Sequence, residues 1–180
     1  MTLTEKALQI AITAHTGQVR KSDDTPYIAH PVMVALMLKE YGFDEVVIAA
    51  ALVHDVLEDT AFGREKLVAE LGEEVVQVVD AVSEDTSLEW EKRKELYVQA
   101  VAEATEAVKA VSIADKIHNA ESIIDFHATK GKEAWTVFNR GKEQKLWFEN
   151  LVYTEVSRTW SHPMLERYRT LIDVMEGLEA

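Results

Sequence analysis

An imidazole and three carboxylates close an apolar run. Ile48-Ala49-Ala50-Ala51-Leu52-Val53 leads directly into His54-Asp55-Val56-Leu57-Glu58-Asp59. No helix breaker interrupts residues 48–57, and the run is apolar around most of its circumference, which predicts a buried helix. Setting an imidazole beside a carboxylate in a core is costly unless something compensates them, and a metal ion is the strongest compensator. Residues four apart share a helix face, so the spacing puts His54 over Glu58 and Asp55 over Asp59.

A second polar island lies in Ala110-Val111-Ser112-Ile113-Ala114-Asp115-Lys116-Ile117-His118-Asn119. Asp115 has Asn119 four residues on, again an acid with a polar partner one turn later. An Asp in this setting either pairs with an arginine or joins His54 and Asp55 on a shared ion. His30, at a predicted helix start after a turn-rich stretch, either faces solvent or points inward as a further ligand. Together His30, His54, Asp55 and Asp115 make a two-nitrogen, two-carboxylate set suited to a divalent Mn, Fe or Zn with room left for water. A cation so held lowers the pKa of its water and generates hydroxide near neutral pH. The chain has no cysteine, which excludes disulfides, iron–sulfur clusters and thiolate zinc sites.

The elements that must carry these residues read as helical throughout. Residues 3–14 are amphipathic, with Leu8, Ala11 and Ile12 on one side and Thr4 as N-cap. Residues 17–29 are turn-rich, containing Gly17, Ser22, Asp23, Asp24 and Pro26. His30-Pro31 opens the next helix, since proline suits the first helical position, and Asp44 caps the helix bearing His54 and Asp55. Gly72 splits two short helices over 64–71 and 73–82, and residues 83–89 form a polar loop. Helices over 90–107 and 108–129 meet within 104–107; Gly131 punctuates, then 134–160 and 163–178 close the chain. No stretch alternates as a strand. The expected fold is all-α, a compact helical bundle making a single domain over residues 1–180.

No apolar stretch reaches the roughly 18 residues of a membrane span. Residues 1–6 lack the apolar core of a signal peptide, so the expectation is a cytoplasmic protein with no membrane partner. The formal charge of −13 argues against a nucleic-acid partner. It also makes any anionic substrate depend on a local cluster of Lys and Arg. The residues specify no oligomeric state.

With these residues in view, the chain resembles the HD-domain metal-dependent phosphohydrolases, and within them the (p)ppGpp hydrolase branch. Three motifs carry the resemblance. The first is His15-Thr16-Gly17-Gln18-Val19-Arg20-Lys21-Ser22 followed by Thr25-Pro26-Tyr27-Ile28-Ala29-His30-Pro31. The second is Ala50-Ala51-Leu52-Val53-His54-Asp55-Val56-Leu57-Glu58-Asp59-Thr60, and the third Ala114-Asp115-Lys116-Ile117-His118-Asn119. Order and spacing agree over roughly residues 5–125. The match ends before any synthetase region, so the expectation is a stand-alone small alarmone hydrolase.

The resemblance implies that His30, His54, Asp55 and Asp115 hold Mn²⁺, another divalent transition metal remaining an alternative. It implies that Glu58 and Asp59 position and activate the attacking water. Arg20 and Lys21 would flank the nucleotide near its base and phosphates, and Asn119 would contact its ribose side. The implied reaction removes the 3′-pyrophosphate from (p)ppGpp, leaving GDP or GTP. The residues themselves allow the same roles for the two acids: a carboxylate one turn beyond His54 or Asp55 can act as general base. The competing reading is a solvated helix end, where acids oppose the dipole.

The chain departs from the family pattern at two places. Basic residues commonly stand two before Ala114 and two after Asn119; here these are Ser112 and Glu121. Fewer cations weaken the hold on a highly anionic nucleotide. The alternatives are therefore an HD-domain phosphatase on another nucleotide, NADPH or an adenine-based alarmone, or a non-catalytic nucleotide-binding sensor. The sensor predicts damage to the motif residues, and none is damaged. Ser83-Glu84-Asp85-Thr86, with Trp90, Arg93 and Tyr97 following, resembles a further polar segment in which Arg93 meets either a phosphate or a surface acid. Trp135, Phe138, Trp147, Phe148 and Tyr153 are expected in the core, with Tyr153 the one to line the pocket. His15 and His118 are expected to pack or hydrogen-bond behind the ligands, and His127 and His162 to lie on the surface.

Overall fold

Small side chains bring the helices together around the polar run. The computed structural model describes residues 1–21, 24–85 and 87–180; Ser22 and Asp23 of the first motif and Thr86 of the polar segment lie outside the described residues. The chain runs α1 (Leu3–Ala14), α2 (Ala29–Glu40), α3 (Glu45–Val53), α4 (Val56–Asp59), α5 (Arg64–Leu71) and α6 (Glu73–Val82). It continues through α7 (Trp90–Glu103), α8 (Glu106–Lys130), a 3₁₀ segment (Gly131–Val137), α9 (Gly141–Ser157) and α10 (Pro163–Gly177). Among the described residues the β pairing seen is an isolated antiparallel bridge between Val19 and Pro26, so the fold is all-α as expected. No helix among them is long and apolar enough to cross a membrane.

Helix α3 is the hub, packed on α1, α2, α6 and α8. Ala49, Ala50 and Ala51 are wholly buried, and Ala7 and Ala11 meet them from α1. The inward face of α1 is this alanine seam, so Ile12, expected inside, is left half exposed. The close approach that alanines permit displaces the larger residue outward.

Helix α3 does not continue through the acidic end. It stops at Val53, His54 and Asp55 form a turn, and α4 is a single turn beyond them. The Ala51 carbonyl, which in a continuous helix serves the Asp55 amide, accepts from His54 Nδ1 at 2.7 Å. The stacking expected from an unbroken helix is replaced by a kink at the doublet itself.

Other boundaries also move. Thr2, not Thr4, caps α1, in a reciprocal capping box with Glu5. Helix α2 begins at Ala29, so Pro31 is its third residue, still within the turn where its missing N–H has no helical partner. The expected helix over 134–160 is divided, because Gly141 adopts φ 71°, a left-handed geometry that a β-carbon resists. Trp135 and Phe148 are buried; Phe138 and Tyr153 are half-buried and Trp147 is more exposed. His127 and His162 are half-buried and partnered, by the Glu179 carbonyl and by the Met164 amide and the Trp160 ring.

Asp44 caps α3 as expected, its Oδ1 accepting from the Val46 and Val47 amides at 3.0 and 3.1 Å. Asp44→Ala is expected to lower unfolding free energy by about 1 kcal/mol in urea titration, with Asp44→Asn close to wild type.

Candidate metal centre and active site

Three packed elements deliver one cluster: the first turn of α2 gives His30, the α3–α4 turn gives His54 and Asp55, and the middle of α8 gives Asp115. His30 Nε2 lies 3.0 Å from Asp115 Oδ1 and 3.6 Å from Asp55 Oδ2. His54 Nε2 lies 3.1 Å from Asp55 Oδ2 and 3.8 Å from Asp115 Oδ1. One ligand atom from each of His30, His54 and Asp115 falls within 4.8 Å of the others. Both imidazoles are buried, while the carboxylates keep a small exposed edge.

The chemistry of these donors fits a divalent cation. His54 Nε2 is a buried polar atom, close to Asp55 yet out of line for a hydrogen bond. Its Nδ1 is committed to the Ala51 carbonyl, so a proton lost from this ring leaves from Nε2, facing the cluster. Burial opposes the charge on His54, but Asp55 and Asp115 outweigh it and hold the imidazole well above its ordinary range. Asp55 is held well below the carboxylate range: burial pushes it up, and His54 and then His30 overcome that. On Asp115 the same contest is won chiefly by Lys116, whose Nζ is 2.8 Å from Oδ2. His118 Nδ1 lies 2.8 Å from His30 Nδ1. Burial first, then the charges of His30 and Arg20, push His118 down to about 4. A neutral His118 can accept from His30 Nδ1–H, which turns the His30 Nε2 lone pair toward the cluster.

Glu58 and Asp59 stand beside this centre. Glu58 lines one cavity with His30, His54, Asp55 and Asp115, and its Oε2 accepts from the Glu84 amide at 3.1 Å. Burial, with the charges of Glu84 and Asp55, raises its pKa despite that amide. Burial and Asp55 likewise raise Asp59. Tyr27, a member of the first motif to which the sequence assigned no role, donates its hydroxyl to Asp55 Oδ2 at 2.7 Å and lies 3.3 Å from Asp59 Oδ2. Burial and Asp55 hold the phenol far above its ordinary pKa, so it stays a donor. His15 packs behind, its ring 4.8 Å from that of Tyr27 and its Nδ1 2.6 Å from Gln18.

Arg20 and Asn119 join the cluster in series: Arg20 Nη2 donates to Asn119 Oδ1 at 3.1 Å, and Asn119 Nδ2 to Asp115 Oδ1 at 2.5 Å. Arg20 and Lys21 edge a slot whose apolar walls include Val19, Ile123, Phe126 and Phe138. Tyr153 is not brought to these residues. It packs on Tyr168, with Arg169 over its ring.

Sequence reasoning missed a wall of cations. A hollow adjoining Asn119 is lined by Arg93, Lys94, Lys116, Arg140 and Lys145, of which the sequence singles out only Arg93 as a phosphate contact. The run Lys92-Arg93-Lys94 was the available signal. Of the two partners open to Arg93, a phosphate or a surface acid, the structure has an acid, but a largely buried one: Glu84 holds Arg93 and Lys94 at 2.9 and 2.5 Å. The two departures from the family pattern also have partners. Ser112 is buried against the Tyr97 hydroxyl at 2.7 Å, and Glu121 pairs with Arg167 at 2.5 Å.

An all-helical domain with a buried His/Asp cation site is the class that this geometry defines. The chain belongs to the HD domain family, whose model matches residues 7–139. It is 38% identical over 120 residues to guanosine-3′,5′-bis(diphosphate) 3′-pyrophosphohydrolase of Haemophilus influenzae, covering 63% of this chain and 18% of that protein. It is 36% identical over 117 residues to the pyrophosphohydrolase MESH1 of Xenopus tropicalis, covering 63% of this chain and 65% of that one. The solved structure of a metazoan ortholog of SpoT that hydrolyzes ppGpp superposes with TM-score 0.81 at 26% identity, over 99% of this chain and 98% of the other. A crystal structure of lmo0812 from Listeria monocytogenes gives 0.76 at 29% identity, over 81% and 97%.

Binding of a divalent cation must displace the proton that Asp55 and Asp115 hold on His54. Cation affinity is therefore expected to rise with pH, with protons released on binding. Titration calorimetry in buffers of different ionisation enthalpy reads that release directly, and buffer-independent heats would contradict it.

Proposed function

We propose that this chain hydrolyses (p)ppGpp to GDP or GTP and pyrophosphate, using manganese held by His30, His54, Asp55 and Asp115. One observation carries the reading: a buried trio able to hold a cation, His30, His54 and Asp115, with Asp55 against both imidazoles, adjoins two carboxylates of raised pKa and a hollow walled by cations. The named activities of the H. influenzae and X. tropicalis relatives and of the metazoan structure support the substrate. Bound manganese would supply Lewis-acid polarisation of a phosphoryl oxygen and a lowered water pKa.

The chain's own residues do the rest. Glu58, fixed by the Glu84 amide, accepts the proton of the attacking water, and its raised pKa suits a base working near neutrality. Asp59, steadied by Tyr27, orients that water. The base of the nucleotide enters the apolar slot beside Arg20 and Lys21, and Asn119 stands between slot and cluster at the level of the ribose. The water oxygen bonds to phosphorus as the bond to the 3′ oxygen breaks. The displaced 3′ oxygen takes up a proton, returned from Glu58 or drawn from solvent, to become the 3′-hydroxyl of GDP or GTP, and pyrophosphate departs with the water's oxygen.

Turnover of ppGpp with Mn²⁺ is the test, scored for pyrophosphate and GDP. Asp55→Ala is expected to lose both metal and activity. Glu58→Ala should keep the metal and lose about 10²-fold or more in kcat. Wild-type kcat should fall on acidification as Glu58 takes up a proton, with a midpoint above that of an ordinary glutamate. Equal activity in all three proteins would sink the mechanism, and orthophosphate release from NADPH without ppGpp turnover would reassign the substrate.

A further inference from the structure

The core between α9 and α10 contains a carboxylate that stability alone does not call for. Glu149 is wholly buried, on a helix face whose other inward residues are Phe148, Val152 and Val156. A buried ion pair is commonly no more stabilising than apolar residues filling the same space, so a glutamate here needs another reason. Its partners supply one. Tyr168 of α10, itself fully buried, donates a short hydrogen bond to Glu149 Oε2, and Lys145, one turn earlier on α9, pairs with Oε1.

Lys145 keeps only 14% of its side chain exposed, and that edge lines both the apolar slot and the cation-walled hollow. Its Nζ sits 5.4 Å from the ring centre of Phe138, which also lines both. The other cations of the hollow have other direct partners: Lys116 pairs with Asp115 of the cluster, Arg93 and Lys94 with Glu84 on the cavity beside it, and Arg140 with the exposed Glu91. Among these, Lys145 is the one paired directly with an acid of no exposed surface, whose charge also bears on Lys116. An ammonium has three donors, so one given to Glu149 leaves two for a ligand.

We propose that Glu149 is a positioning residue that, seated by Tyr168, fixes Lys145 at the seam of slot and hollow as the contact for the 5′-phosphates of the nucleotide. The inference rests on the hydrolase reading for its orientation. With the base in the slot and the 3′ group on the cluster, the seam beside Asn119 is where the 5′ side of the ribose passes into the cationic hollow. Lys145 then reads whether the substrate carries 5′-phosphates.

The test uses the manganese-loaded protein and two probes that differ only in where the phosphates stand. Lys145→Met is expected to weaken GDP binding in calorimetry by about tenfold or more, the effect of one charge-assisted contact. It should raise KM for ppGpp by a similar factor with kcat within roughly threefold, and raise KM for guanosine 3′-diphosphate, which lacks 5′-phosphates, by a clearly smaller factor. Lys145→Arg should keep most of the GDP affinity, and Glu149→Gln should lose part of it. The double variant Lys145→Met/Glu149→Met removes both charges from the core. It should recover the melting temperature without recovering GDP affinity. Wild-type GDP binding in Lys145→Met, or its return in the double variant, would overturn the inference and leave Lys145 as a mere counter-ion for Glu149. GDP binding that depends on Lys145 in a protein inert toward ppGpp would instead overturn the hydrolase reading and retain the positioning role.

Discussion

Two imidazoles and two carboxylates can occupy one small buried space only if their charges cancel there, and most of the fold serves that balance. Asp55 and Asp115 press on the same two rings, and Lys116 draws on Asp115 from the opposite side. The four side chains come from elements that must approach closely, which the alanines of α3 and α1 permit. The kink at His54-Asp55 is part of the same solution. On a regular helix adjacent side chains diverge by about 100°, so neighbours in sequence would not face one point. Breaking the helix at the doublet lets both side chains converge.

Much of this was written in the sequence. Polar residues ending an apolar run are anomalous enough to locate the cluster, and helical punctuation at Asp44 and Gly72 falls where the structure has it. The kink was not legible, because nothing in Val53-His54-Asp55-Val56 is a helix breaker; in the structure it coincides with the bond from His54 to the Ala51 carbonyl. Nor was the α1 seam. Hydrophobicity ranks Ile12 above Ala7, whereas packing distance favours the smaller residue. Gly141 was in plain view, but the aromatic run around it reads as one helix until the left-handed φ is known.

Charge shows the sharpest divide between composition and place. The chain carries −13 overall, and the family's basic positions hold Ser112 and Glu121. Yet Arg93, Lys94, Lys116, Arg140 and Lys145 gather on one hollow from α7, α8 and the start of α9. Apart from the adjacent Arg93 and Lys94 these residues are far apart in sequence, and the packing of α7 on both α8 and α9 brings them together. Against a net charge of −13, such a gathering of cations is the kind of local cluster that an anionic ligand requires.

The carboxylate of Glu58 is held by a main-chain amide, that of Glu84, and not by a side chain. That hold depends on the path of the loop after α6 rather than on the identity of the residue supplying the N–H. Any amino acid except proline can furnish it. The side chain of Glu84 is therefore free to be tuned for Arg93 and Lys94 while its backbone keeps a separate duty. One position can drift in charge and still keep its neighbour's carboxylate in place, while the pKa of that carboxylate moves with the charge.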